Sequence, residues 1–292
     1  MTLSHNKRAG ANAISPLPFK RVFAGLCRYF PLLAERLGYQ LYFWVPPRRP
    51  DGIETRISQL SKKTQIQFGE LVIPVYEWSK PNSLRTVLFL HGWGGAGTQV
   101  GYFVQELVSA GCRVISFDAP GHGKASGRST TVNQIADVAH DIAQTISGEL
   151  VIVGHSVGAL AACHTASRLG CRVHKVALLA PIYSFDTLLS VFAEMTGADE
   201  RVKKYIQRRT EQRYGVPWMQ SSGEQVVNGL TPMALILNDE QDPRTPREHM
   251  EKLASGFVTS QHETFEKVGH YRILRDIGVA SRLRAFVSNP VT

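Results

Sequence analysis

The sequence has few cysteines, a shortage of acidic residues and no clear membrane-spanning run. Its 292 residues include 4 cysteines, which show neither metal-ligand spacing nor the density of a disulfide framework and so suit a reducing cytoplasm. The first twenty residues are polar and contain prolines, so we expect no secretory signal. Residues 150–167 lack charge but contain Gly154, His155, Ser156 and Gly158, which favours a strand, a turn and a helix over a membrane span.

The shortage of acidic residues gives the chain a basic balance. There are 33 Lys and Arg against 24 Asp and Glu, a formal net charge of +9, which makes nucleic acid the first partner to consider. The first 50 residues alone contain eight basic residues and one acidic residue. The rest is nearly balanced, and no zinc-finger, RNA-recognition or basic-zipper pattern accompanies the charge. We therefore expect no nucleic-acid partner.

Residues 1–60 read as an N-terminal helical extension. Apolar side chains recur at helical spacing over residues 19–37, and Pro31 is expected to separate two short helices. The basic, aromatic-rich residues 19–44 could make a peripheral contact with an anionic membrane. They could also pack on the rest of the protein, which we favour because the aromatics are too many for one exposed face. The sequence does not determine the oligomeric state.

Beyond residue 60 the chain alternates strands with helices. Residues 64–68 and 71–76 predict a hairpin in which Pro74 suggests an edge strand. Further strands are predicted at 86–90, 113–117, 150–153, 173–179, 233–237 and 258–265, and helices at 99–109, 132–146, 157–169, 247–253 and 271–287. This alternation predicts an α/β fold whose mostly parallel sheet is covered by helices on both faces. We expect a core of residues 61–182 and 231–292, and a helical lid insertion at 183–230.

The most informative motif lies within the uncharged stretch. Gly154-His155-Ser156-Val157-Gly158 matches G-x-S-x-G, in which a serine occupies a sharp strand-to-helix turn. Glycines flank such a serine because a Cβ would clash with the neighbouring strand and helix. The pattern alone is weak, but the apolar residues 150–153 before it and the helix formers 159–162 after it supply the required context.

With these motifs in order, the chain from residue 64 onwards resembles the α/β-hydrolase superfamily, and in particular its lid-bearing serine hydrolases of the esterase and lipase type. His91-Gly92-Trp93-Gly94-Gly95, after the strand at 86–90, is similar to the oxyanion-hole loop of that family. The resemblance implies Ser156 as the nucleophile. It also implies that the backbone N–H groups of Trp93 and Val157 form the oxyanion hole.

The acid and the base are expected later in the chain. Asp242, in the loop after the strand at 233–237, aligns with the acid of the family, and Asp239 is the alternative. His270 follows a glycine after the last strand and matches the histidine of the family. The turn at residues 118–123 resembles a turn that is structural in the family, so neither Asp118 nor His122 is expected to be catalytic.

The resemblance implies hydrolysis of a small-molecule carboxylic ester through an acyl-enzyme, without a metal or an organic cofactor. We expect an apolar acyl group. Candidate pocket residues are His91, Gly92, Phe192, Met195, Trp218 and Met219. A thioesterase or amidase with the same triad remains open. A non-catalytic binding or peripheral membrane protein on this scaffold remains open as well, because a fold alone does not establish activity.

Overall fold

A computed structural model describes residues 16–215, 217–218 and 223–289. The chain forms two compact units. One, here called the helical unit, consists of Met1–Tyr42 and Leu189–Arg213. The other, here called the sheet unit, consists of Phe43–Leu188 and Tyr214–Thr292. No helix within the described ranges is both long enough and apolar enough to cross a bilayer.

The sheet unit is built on one eight-stranded sheet. Its strands are β1 (Lys62–Phe68), β2 (Leu71–Trp78), β3 (Arg85–Leu90), β4 (Cys112–Phe117), β5 (Glu149–His155), β6 (Val173–Leu179), β7 (Met233–Asp239) and β8 (Ser260–Phe265). Their spatial order is β1-β2-β4-β3-β5-β6-β7-β8. The β1–β2 and β2–β4 pairs are antiparallel, and all the others are parallel. The predicted α/β fold with a mostly parallel sheet is confirmed.

Helices cover both faces of this sheet. They are α3 (Gly52–Leu60), α4 (Gly101–Ser109), α5 (Val132–Gln144), α6 (Val157–Leu169), α9 (Gly223–Val227), α10 (Arg247–Gly256) and α11 (Ile277–Ser288), and α7 (Phe185–Thr196) starts in this unit. Leu88 and Leu90 belong to the core on the side of the sheet that carries α5 and α6, whereas Val87 and Phe89 belong to the core on the side that carries α4 and α11. Strands buried on both faces need apolar side chains at every position, which explains their continuous apolar runs.

The helical unit contains α1 (Pro16–Tyr29), α2 (Pro31–Phe43), α8 (Glu200–Tyr214) and the C-terminal part of α7. Pro31 separates α1 from α2, as the sequence predicts. Gly38 of α2 lies so close to α8 that an added Cβ would be 2.5 Å from a methyl group of Val202. The rings of Tyr39 and Tyr205 meet edge to face at 6.3 Å. The central part of the predicted insertion at 183–230 therefore packs with the N-terminal helices.

Two local predictions are wrong. Pro74 does not mark an edge strand, because β2 lies between β1 and β4. Its carbonyl accepts the Asp118 N–H just beyond the last residue pair of the β2–β4 ladder, Val75 with Phe117. In an antiparallel strand the N–H and C=O of one residue face the same neighbour, so the missing donor removes only a terminal bond.

The helix expected at residues 271–287 is also interrupted. A short 3₁₀ turn occupies Arg272–Arg275, and α11 starts only at Ile277. Asp276 has an extended backbone, and its carboxylate accepts the Val279 N–H as an N-cap. The helical spacing of apolar residues continues across this break, which is why the sequence predicts one helix here.

Candidate active site

Ser156 occupies the sharp turn between β5 and α6. Its φ of 55° and ψ of −120° are unusual for a residue with a Cβ, and such a conformation persists only where the surroundings impose it. A Cβ on Gly154 would lie 2.5 Å from the Ala159 Cα, and one on Gly158 would overlap the carbonyl oxygens of Leu90 and His91. The two glycines therefore let the start of α6 approach the end of β3, which fixes the position of the serine.

Three buried side chains form a continuous hydrogen-bonded chain. The distance from Ser156 Oγ to His270 Nε2 is 2.8 Å, and that from His270 Nδ1 to Asp242 Oδ2 is 2.6 Å. Ser156 follows β5, Asp242 follows β7 and His270 follows β8, so all three come from the carboxyl edge of the sheet. With Asp242 accepting at Nδ1, the His270 Nε2 faces Ser156 as the acceptor of its hydroxyl proton.

Asp242 is held as a carboxylate. Burial raises its pKa. The hydrogen bond and charge of His270, together with the Arg244 N–H, lower the pKa by more than burial raises it, so the pKa lies below the usual value. The Arg244 N–H donates to Asp242 Oδ1 at 3.1 Å. Each carboxylate oxygen thus has its own donor, which orients the group toward the histidine ring.

Asp239, the alternative acid, has a different set of partners. Its Oδ1 accepts the Gln241 N–H at 2.7 Å and its Oδ2 accepts the Gly269 N–H at 2.5 Å. Gly269 immediately precedes His270, so Asp239 fixes the backbone of the turn that carries the histidine. The geometry brings Asp242, and not Asp239, to the imidazole ring.

The two backbone N–H groups predicted to form the oxyanion hole are those of Val157 and Trp93. Val157 is the first residue of α6, and the first N–H groups of a helix have no acceptor within it. Within the described residues the Trp93 N–H has no acceptor either. A Cβ on Gly92 would lie 3.1 Å from the Ser156 Cβ, so the loop that carries Trp93 lies against the serine.

His91, a candidate pocket residue, holds this loop through hydrogen bonds to the backbone. Its Nδ1–H donates to the Gly92 carbonyl at 2.8 Å, and its Nε2 accepts the Ala119 N–H at 3.0 Å. Burial lowers its pKa to about 4, which keeps the ring neutral in this arrangement. Both ring nitrogens are hydrogen-bonded to the backbone, so His91 holds the loop that carries Trp93 and has no free ring nitrogen for a substrate.

The turn at residues 118–123 is structural, as expected. The Asp118 carboxylate accepts the Gly97 N–H at 2.8 Å, the Lys124 N–H at 2.9 Å and the Tyr76 hydroxyl at 2.9 Å. His122 packs against His91 with ring centroids 4.8 Å apart. Burial lowers its pKa to about 3. His122 and Ala119 thus hold the turn against the loop that carries His91 and Trp93.

One residue of the site was not singled out from the sequence. His155 precedes Ser156, is buried, and donates its Nε2–H to the His270 carbonyl oxygen at 2.9 Å. Burial, with a smaller effect of His270, lowers its pKa to about 3. Its position in the motif could have indicated this role, because His155 is a polar residue at the carboxyl end of a buried strand, where the sites of α/β folds lie.

The other candidate pocket residues lie in different surroundings. Trp218 is buried in the sheet unit, where its Nε1–H donates to Asp186 Oδ1 at 2.7 Å. Phe192 meets Tyr42 edge to face at 5.4 Å within the helical unit. Met195 is exposed on α7. Met219 lies outside the described residues. For these residues substrate contact stays a prediction.

The described part of the chain contains no group of three or more His, Cys, Asp or Glu side chains that could hold a metal ion. The hydrogen-bonded chain of Asp242, His270 and Ser156 supports proton transfer and nucleophilic attack by side chains.

Two curated relatives match parts of the chain. A Cupriavidus necator protein, the dihydrolipoyllysine-residue acetyltransferase component of an acetoin cleaving system, is 36% identical over 118 residues, 39% of this chain and 31% of that protein. Protein phosphatase methylesterase 1 of Bos taurus is 30% identical over 89 residues, 28% of this chain and 23% of the relative. The chain thus spans less than a third of the length of either.

The solved structures and the family models agree on the fold. An esterase of Pyrococcus furiosus superposes with a TM-score of 0.63 at 17% identity, covering 85% of this chain and 99% of that chain. At this identity the likeness shows the fold alone. The model of the alpha/beta hydrolase family matches residues 87–282, which contain Trp93, Ser156, Asp242 and His270. The chain therefore belongs to the alpha/beta hydrolase family.

Proposed function

We propose that this protein is a serine hydrolase that cleaves carboxylic esters through an acyl-enzyme. The observation that carries the proposal is the hydrogen-bonded chain from Asp242 through His270 to Ser156 at the strained turn. A hydroxyl is a weak nucleophile unless a base adjoins it, and here the base is in turn oriented by a carboxylate.

The reaction follows from the geometry. Ser156 Oγ attacks the ester carbonyl carbon while its proton passes to His270 Nε2, and the carbonyl oxygen becomes an oxyanion. The Trp93 and Val157 N–H groups donate to that oxyanion. His270 then protonates the departing alcohol as the C–O bond breaks. Water attacks the acyl-enzyme by the same route, which releases the acid and returns the proton to Ser156.

Asp242 has two roles in this mechanism. It keeps the His270 proton on Nδ1, so that Nε2 faces the serine, and its negative charge stabilises the imidazolium that forms when Ser156 loses its proton. The low pKa of Asp242 keeps that charge present at neutral pH.

The finer identity of the substrate is part of the same proposal. We propose a small ester with an apolar acyl group, for which Phe192, Met195, Trp218 and Met219 remain candidate contacts. One curated relative is named a methylesterase, which supports an ester over an amide. A cytoplasmic location is also proposed, supported by the free thiols of all four cysteines.

A fluorophosphonate probe tests the nucleophile. We expect the protein to be labelled, Ser156→Ala to abolish labelling, and Ser184→Ala to leave it unchanged. Ser184 is a matched control because both serines are 7% exposed. Labelling that survives in Ser156→Ala would place the nucleophile elsewhere, and a wild-type protein that takes up no probe would favour a binding role on this scaffold.

Model substrates test the bond that is cleaved. A series of 4-nitrophenyl esters with acyl chains of increasing length should be hydrolysed, with kcat/KM rising with chain length. A thioester and an anilide of the same acyl group complete the set. Faster turnover of the thioester or the anilide than of the ester would identify the alternative, a thioesterase or an amidase.

A further inference from the structure

The helical unit exposes a group of large apolar side chains around the junction of α1 and α2. These residues, here called the apolar tip, are Val22 (71% exposed), Tyr29 (70%), Phe30 (63%), Leu32 (73%) and Leu33 (56%). Four of them lie within a five-residue stretch, and Val22 is two helical turns before Tyr29 on the same face of α1. Single exposed apolar residues are ordinary, but a contiguous group marks an interaction surface.

The helices that carry the apolar tip do have a packing partner, so the absence of one does not explain why the tip is exposed. The opposite faces of α1 and α2 are buried and carry Phe23, Cys27, Ala34 and Gly38. Gly38 packs against Val202 of α8, and the Arg201 guanidinium donates to the Cys27 carbonyl at 3.4 Å. The helices therefore have one face committed to packing and a second apolar surface that this packing does not use.

Basic side chains border the apolar tip. Arg21, Arg28 and Arg36 are exposed. The Arg28 guanidinium lies over the Tyr29 ring, 5.6 Å from its centroid. Glu35 is the one acidic residue between positions 16 and 42, and it is half-buried. A partner must therefore offer apolar contact to the tip and negative charge around it.

We propose that the apolar tip docks on an anionic lipid bilayer. Phe30, Leu32 and Leu33 enter the boundary between headgroups and acyl chains, where Tyr29 can keep its hydroxyl in the polar layer. The three arginines bind lipid phosphates at headgroup level. A bilayer supplies an apolar layer for the tip and, directly above it, a layer of phosphates for the arginines, which favours a bilayer over a protein surface. The proposal is independent of the ester chemistry and adds a membrane-bound state to the protein.

Co-sedimentation of the full-length protein with vesicles tests this surface. We expect binding to phosphatidylcholine vesicles that contain 30% phosphatidylglycerol (on the order of physiological anionic content), and weaker binding as salt is raised. The triple variant Phe30→Gln/Leu32→Gln/Leu33→Gln should bind at least about tenfold more weakly. The control Leu84→Gln/Val258→Gln/Ile277→Gln changes three other highly exposed apolar residues, all in the sheet unit, and should bind like wild type.

The arginines are tested in the same assay. Each arginine near an anionic surface contributes a factor of about five, so Arg21→Gln/Arg28→Gln/Arg36→Gln should weaken binding by on the order of 100-fold. The control Arg56→Gln/Lys63→Gln/Lys80→Gln removes three exposed cations elsewhere and should have a smaller effect. Equal losses in the two sets would show that net charge, and not this surface, attracts the protein to vesicles, which would overturn the proposal.

A direct measurement of depth separates insertion from other binding. Phe30→Trp should be quenched by bilayers of dibrominated phosphatidylcholine mixed with phosphatidylglycerol, whereas Leu84→Trp should not. Equal quenching of the two reporters, or no vesicle binding, contradicts the proposal. So does a concentration-dependent dimer that the Phe30→Gln/Leu32→Gln/Leu33→Gln variant abolishes, because the surface would then be a protein interface.

Discussion

The imidazole of His155 donates to the backbone carbonyl oxygen of His270 across 2.9 Å. The residue that precedes Ser156 thus holds the backbone of the residue whose ring contacts Ser156. The ring centroids of the two histidines are 5.4 Å apart, and Tyr271 packs edge-on against His270 at 5.0 Å. His270 is therefore positioned through its backbone by His155 and Asp239, and through its ring by Asp242.

Replacing His155 should lower kcat because the hydrogen bond to the His270 carbonyl is lost. We expect His155→Leu to reduce kcat by about 10- to 100-fold with little change in KM, as small misplacements of a reacting group do. His155→Gln, whose side-chain amide can supply a donor near the position of Nε2, should recover most of the rate. Steady-state kinetics on one ester measure both variants, and equal losses in Leu and Gln would exclude this positioning role.

Asp242→Asn and Asp239→Asn should affect different properties. Asp242→Asn removes the charge beside the His270 ring, and we expect kcat to fall by about 10⁴-fold. Asp239→Asn weakens the bonds to the Gln241 and Gly269 N–H groups, which should cost about 1–3 kcal/mol of the free energy of unfolding and much less activity. Kinetics and urea unfolding of both variants decide the matter, and the reverse order of kcat values would make Asp239 the acid.

The strained conformation of Ser156 predicts an unusual order of stability. Ser156→Ala and Ser156→Gly both lose the hydroxyl, but only glycine adopts a φ of 55° without steric cost. Relief of strain, reduced by the entropy that glycine loses on folding, should make Ser156→Gly more stable than Ser156→Ala by roughly 1 kcal/mol. Urea unfolding of the two inactive variants measures the difference. A more stable alanine variant would show that the surroundings do not impose strain at this turn.

Acid should destabilise the protein strongly below pH 6.5. Burial lowers the pKa of His91 and His164 to about 4 and that of His122 and His155 to about 3. The unfolded chain therefore takes up protons as the pH falls through 6.5, while the folded protein leaves these rings neutral until their own pKa is reached. Four such groups reduce the free energy of unfolding by on the order of 5 kcal/mol for each pH unit.

Urea titrations at several pH values between 7.5 and 5 measure this slope. His164→Gln should reduce it by about 1.4 kcal/mol per pH unit, because one proton fewer is taken up on unfolding. His164 is suited to this test because it lies on α6 and packs against Phe185, with ring centroids 6.2 Å apart. An unchanged slope in this variant would mean that His164 is not kept neutral by the fold.

The fold class and the family could be predicted because apolar runs, glycines and chain order carry that information locally. Asp239 and Asp242 could not be separated in this way, because Asp239 ends β7, Asp242 lies three residues later and both are buried. Only the path of the loop decides which carboxylate reaches the His270 ring. The support from His155 was equally hidden, because its acceptor is a backbone carbonyl more than a hundred residues away.

The N-terminal extension shows a different limit. The sequence offered packing and membrane contact as alternatives for residues 19–44, and the structure assigns α1 and α2 both a buried and an exposed apolar face. The composition gives the number of aromatic residues, but it does not show which of them lie on the buried face of the two helices and which on the exposed face. The membrane contact therefore stays a proposal for the exposed face, while packing accounts for the buried one.

The helical unit also imposes an order on events during synthesis. Gly38 and its neighbours on α2 pack against Val202, which is translated about 160 residues later. At the usual speed of a ribosome, the apolar faces of α1 and α2 wait roughly 8 to 30 s for α8 to emerge. During that interval the nascent chain presents the buried side chains Phe23, Cys27 and Ala34 without α8, so these apolar faces are open to a chaperone while the protein is made.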